Sequence, residues 1–103
     1  MEAQELQALC KRTELIGCRI LVTEIMATTN ALVVAITVKN DDELHIKTRD
    51  AKRRLRPGQW EDDPYFELSA VAKYCAISEA NGTISINFFD VEAKIYTPES
   101  GNA

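Results

Sequence analysis

The chain has 103 residues, 46% of them hydrophobic, with a formal net charge of −4. That length holds one core and is too short for two, and an acidic balance weighs against a domain dedicated to nucleic acid, which is usually basic. The most apolar run, Ala31 to Val38, is closed by Asn30 and Lys39 and falls far below the roughly 18 residues that cross a bilayer, so no membrane association is expected.

Residues 2–13 place Leu6, Leu9, Cys10 and Thr13 on one helical face, with Glu2 and Glu5 early and Lys11 and Arg12 late, as the helix dipole favours. They predict a first helix. Leu15 to Met26 is rich in Ile, Val and Thr, and Cys18, Ile20 and Val22 share one side of an extended chain. A strand is expected there, although Leu15, Cys18, Val22 and Ile25 also satisfy a helical stripe running through Gly17.

Ala31 to Val38 is apolar or nearly so at both parities, which predicts a central strand covered on both sides. Asn40-Asp41-Asp42 is turn chemistry, and Leu44, Ile46 and Thr48 then alternate with Glu43, His45 and Lys47 as in a half-exposed strand. Arg49 to Gln59 has few apolar residues and ends at Pro57-Gly58, so it reads as a loop with at most one helical turn over Ala51 to Leu55.

Asp63 before Pro64 suits a helix start, and Leu68, Val71, Ala72 and Cys75 share a face, predicting a second helix. Asn81-Gly82 marks a tight turn, after which Ile84, Ile86 and Phe88 alternate with polar residues. The apolar parity then switches to Phe89, Val91, Ala93 and Ile95, which requires a bulge or a break near Asp90. Residues 98–103 have nothing to bury and are expected to fray from a single domain over 1–97.

The expected fold is therefore α+β. An antiparallel sheet of about four to five strands carries both helices on one face, in the order α-β-β-β-α-β-β. Exposed sheet edges would favour a homodimer.

No catalytic set stands out. His45 could in principle serve Cys10, Cys18 or Cys75, but no nucleophile motif accompanies it, and an exposed strand histidine with packing cysteines explains the same residues. Three cysteines without a CxxC pair indicate neither a disulfide framework nor a zinc knuckle. Asp41-Asp42-Glu43 and Glu61-Asp62-Asp63 lack calcium-loop spacing and suit a turn and a helix start. The four glycines form no phosphate loop, so no cofactor or metal is expected. Asn81-Gly82-Thr83 matches a glycosylation acceptor but reads as a turn, since the acidic start Met1 to Glu5 is unlike a secretory signal and a cytoplasmic location is expected.

The unusual feature is the distribution of charge. Residues 47–56 hold six basic residues and one acid, while 1–46 sum to −3 and 57–103 to −6. Arg49, Lys52, Arg53, Arg54, Arg56, Trp60 and Tyr65 form an arginine and aromatic cluster of the kind enriched at protein interfaces. The expected function is non-enzymatic: a small acidic protein that binds another protein through this cluster as an inhibitor or adaptor. A phage-encoded anti-defence protein of the anti-CRISPR kind, working in the host cytoplasm, fits that size and charge. The alternative is a nucleic-acid-binding module built on segment 47–60, where arginines grip phosphate and Trp60 stacks on a base. Against it stand Glu61, Asp62 and Asp63, which would repel phosphate.

Overall fold

A computed structural model describes residues 1–100. Helix α1 spans Ala3–Cys10 and buries Leu6 and Leu9, the stripe its spacing predicts. Glu2 precedes it, and the Glu5 carboxylate accepts a hydrogen bond from the Glu2 backbone N–H at 2.9 Å, closing the first turn. At the other end the Arg12 guanidinium donates to both Glu79 oxygens at 2.7 and 3.1 Å.

Eight strands follow: β1 Arg19–Thr23, β2 Ala27–Lys39, β3 Glu43–Leu55, β4 Glu61–Asp62, β5 Glu67–Val71, β6 Ala76–Ala80, β7 Thr83–Phe88 and β8 Val91–Tyr96. All pair antiparallel, in the order β4-β3-β2-β1-β8-β7-β6, with β5 also on the free side of β3. The fold is thus mostly β, with one α-helix and eight strands among the described residues rather than two helices and four or five strands. Since β5 leads into β6 through the short turn Ala72–Tyr74, the two sides of the strand order lie close together and the sheet is rolled. One face of every long strand points into the roll. Ile20, Val22, Val33, Leu44, Ile46, Ile84, Ile86 and Ile95 are essentially inaccessible there, joined by Leu6, Leu9 and Leu15. Each such side chain stabilises the fold by about 1.5–3 kcal/mol relative to exposure.

The second expected helix does not form. Asp63 and Pro64 sit in a turn closed by the Phe66 N–H to the Asp63 carbonyl, and β5 begins directly after it. Phe66, Leu68, Ala70 and Ala72 alternate inward with a period of two, a pattern the same residues carry as readily as a helical stripe; pairing with β3 selects it. Leu15 to Met26 resolves into a short 3-10 turn at Thr13–Leu15 and the strand β1.

The central strand β2 is covered on one side only. Ala31 and Val33 point into the core, while Leu32 is half-buried and Val34 is exposed. A register shift places Val34 as an extra residue opposite Thr48 and Lys47, which bends the strand and lifts its side chain outward.

The segment expected to be a loop, Arg49 to Leu55, is instead the second half of β3. A second register shift, between Asn30 and Leu32 of β2, adds a residue to β3 at Asp50 and Ala51, and Asp50 takes φ 54°. The turns come closer to expectation. Asn81 and Gly82 both have positive φ and join β6 to β7, as the tight hairpin requires. The parity switch near Asp90 is a hairpin between β7 and β8, with Phe89 at φ 50°. Pro98–Ser100 forms a 3-10 turn, and the remainder of the expected tail, 101–103, lies outside the described residues.

Candidate functional site

The ordering of residues 49–55 into a strand sorts the basic cluster by the pleat, because successive side chains of a strand point to opposite faces. Arg53 lies opposite Thr29, whose neighbours on that face are core residues, and Leu55 lies opposite Ala27. Arg49, Lys52 and Arg54 lie opposite Leu32, Asn30 and Thr28, on the outer face. A run of cations is therefore split between two surfaces.

On the inner side, Arg53 ties the molecule together. Its guanidinium donates to the Glu24 carboxylate at 2.9 Å and to the buried Thr29 hydroxyl at 3.2 Å, and it lies 5.8 Å from the centre of the Phe66 ring. Glu24 opens the turn joining β1 to β2, closed by its own N–H to the Ala27 carbonyl. The Arg56 N–H bonds the Met26 carbonyl at 3.0 Å, so the end of β3 is fastened to that turn. Around this tie three large apolar side chains stand exposed: Ile25 at 65%, Met26 at 60% and Leu55 at 60%.

Two clefts flank Leu55. One of about 280 Å³ is lined by Ile25, Met26, Asp90 and Val91, and the other of about 440 Å³ by Pro57, Gly58, Gln59 and Glu61; Arg53 and Leu55 border both. They meet at Arg53 and Leu55 as one groove at the end of the roll, whose walls also carry Glu24, Asp62 and Asp63. The loop from Arg56 to Trp60 is held tightly, since a Cβ on Gly58 would lie 2.5 Å from the Leu55 carbonyl oxygen. Glycine is required there for the chain to pass.

The remaining expected residues lie outside the lining of this groove. Arg49 pairs with its neighbour Asp50 at 2.7 Å, and Lys52 reaches Asp62 at 3.7 Å, both on exposed surface. Among the described residues Arg54 and Arg56 make no ion pair. Trp60, 47% exposed, immediately precedes β4, and Tyr65 is almost fully exposed in the turn before β5. The acids expected to repel phosphate have particular places: Glu61 and Asp62 stand opposite Arg53 and Lys52 in the register of β4 with β3.

Glu24, Ile25 and Met26 lie outside the arginine and aromatic cluster that the sequence marks as a binding site. A signal for them exists. Ile20 and Val22 set the inward parity of β1, Glu24 would be next on it, and a lone carboxylate does not enter an apolar core, so the strand has to turn.

His45 is buried, not exposed. Nδ1 lies 2.8 Å from Glu67 and 3.0 Å from the Ser69 hydroxyl, and Nε2 lies 2.7 Å from Glu43. Both ring nitrogens are thereby engaged by carboxylates, with the Ser69 hydroxyl sharing Nδ1. The Glu67 carboxyl is held below its usual range, chiefly by the hydrogen bond from His45. The arrangement staples β5 to β3. Burial pushes the Cys10, Cys18 and Cys75 thiols up, away from the reactive thiolate.

Among the described residues no group of three or more His, Cys, Asp or Glu is arranged to hold a metal, and no helix is long and apolar enough to cross a membrane. The chain matches no protein-family model, no curated protein and no solved structure.

Proposed function

We propose that this is a non-enzymatic binding protein, an adaptor or inhibitor, that seats an apolar segment of another protein in the groove around Leu55. The observation that carries the reading is the exposure of Ile25, Met26 and Leu55 side by side on a rigidly tied surface. Folded chains leave large contiguous apolar patches in water mainly where something covers them. Arg56 follows Leu55 in the chain, and Trp60, 47% exposed, follows the Pro57-Gly58-Gln59 wall of the groove, which supplies the residue types that dominate interface energies. An acid flanking that segment meets Arg56 without displacing an internal ion pair among the described residues.

The test is capture of a partner from the native host by the intact chain, compared with Met26→Ser/Leu55→Ser and with Arg56→Ala/Trp60→Ala. Loss of capture in both, with unchanged circular dichroism, is expected. Undiminished capture by both would refute the groove as the contact. Sedimentation of the purified protein decides whether the partner is a second copy, because self-association would vanish in the same variants.

A further inference from the structure

We infer that the convex outer face of the sheet, across β3, β2, β1 and β8, binds single-stranded nucleic acid. This is a different surface from the groove, which lies on the opposite side of the β3 pleat. The register sets out its residues in rows. Arg49 stands opposite Leu32, Leu32 opposite Arg19, and Arg19 opposite Tyr96; in the next row Lys52, Asn30, Leu21 and Lys94 follow one another, and Arg54 begins the third. With about 4.8 Å between strands, Arg49 and Arg19 are about 10 Å apart at the backbone and Lys52 and Lys94 about 14 Å. Five cations from three strands that are distant in sequence thus share one gently curved surface.

The centre of the face indicates the ligand. The Arg19 guanidinium lies 4.5 Å from the centre of the Tyr96 ring, and among the described residues it pairs with no acid. Its Nε is buried without any hydrogen-bond partner among the described residues. A guanidinium spread on an aromatic ring offers its other plane to a base, and its free N–H groups to a phosphate or base edge. Leu32 and Leu21, half-buried on either side, add apolar contact for ring faces. Of the acids on this side of the sheet, Glu92 and Asp62 sit beside Lys94 and Lys52 at 3.6 and 3.7 Å, Asp50 sits beside Arg49, and Glu43 and Glu67 close on His45. None adjoins Arg19 or Arg54. A convex sheet cannot enter a duplex groove as a helix or ribbon does, whereas an unpaired strand can lie across it with bases on the Arg19 platform and phosphates on the flanking cations. Net acidity does not oppose this, since screening confines the effect of the distant acids.

The test is fluorescence anisotropy of a labelled oligothymidylate of about 15 nucleotides with the intact chain at about 50 mM salt. Binding is expected, with a log-log salt slope that falls by about one for each contacting cation removed. Arg19→Ala and the pair Lys52→Ala/Arg54→Ala should each weaken it by about tenfold or more. Arg19→Lys, which keeps charge but not the plane, should still weaken it severalfold, and Met26→Ser/Leu55→Ser should leave it unchanged. If Arg19→Ala does not fold, Arg49→Ala/Lys52→Ala asks the same question from exposed positions. Absence of binding at low salt, indifference to these substitutions, equal affinity for a duplex of the same length, or equal competition by a polyglutamate peptide would each overturn the inference. The last outcome would assign the face to acidic protein instead. The groove stands or falls separately on its own variants.

Discussion

The two halves of β3 are one continuous strand with opposite jobs. From Glu43 to Lys47 it is flanked by β2 and β5, buries Leu44 and Ile46 completely, and encloses His45 between two carboxylates. From Thr48 to Leu55 its outer neighbour is only the two-residue β4, Ala51 is its one fully buried side chain, and its cations are dealt alternately to two surfaces. The bulge at Asp50 falls in the second half, close to the junction. A well-flanked strand is a wall, and a strand that outruns its neighbours becomes a display surface.

The largest expected contrast is in core burial. Ile46→Ala should cost about 3 kcal/mol by deleting packed methyl groups, whereas Leu55→Ala should stay within about 0.5 kcal/mol. Urea melts of both variants check it, and similar losses would mean that the display half is also part of the core. The bulge comes next. A β-branched side chain is poorly tolerated at the positive φ of Asp50, so Asp50→Val should cost about 1–2 kcal/mol while Asp50→Gly is accepted. If both are neutral in thermal melts, the junction is not held by that conformation.

Within the display half, neighbouring arginines should differ. Arg53→Ala removes the bonds to Glu24 and to the buried Thr29 hydroxyl and should cost about 1–2 kcal/mol, against less than about 0.5 kcal/mol for Arg54→Ala. Equal melts would show that the pleat does not separate their roles. The smallest effect sharpens the wall half. The folded pKa of Glu67 lies below its ordinary 4.5, so its bond to His45 contributes stability above that value and loses it as pH falls through the lowered folded value. The melting temperature of the parent should therefore fall more than that of Glu67→Gln between about pH 6 and about pH 3. Parallel curves would remove Glu67 from the account of acid sensitivity.

Part of this comparison is legible in the residues and part is not. Leu44, Ile46 and Thr48 alternate cleanly and give their strand away. Arg49 to Leu55 has the same extended geometry but offers only Ala51 to a core, so composition points to a loop; what makes it a strand is the matching length of β2, with Ala27 to Asn30 waiting to pair. The cluster of cations is equally visible in the sequence. Its division between the groove and the convex face is not, because one bulged residue changes which side chains follow the inward parity. Arg19 and Tyr96 look unremarkable apart, being joined only by the pairing of β1 with β8.

Local chemistry by itself determined the first helix, the turn at Asn81-Gly82, the break near Asp90 and the concentration of positive charge after Lys47. These depend on neighbours within a few residues, where capping, positive φ and alternation act. Only the tertiary structure decided that Leu68 to Val71 is extended and Ala72–Tyr74 a short 3-10 turn rather than parts of one α-helix, that His45 is enclosed, that Ile25, Met26 and Leu55 meet, and that Arg19 joins Arg49, Lys52 and Arg54. Each of these depends on which strand lies alongside, and pairing between segments far apart in the chain is set by the closure of the whole roll.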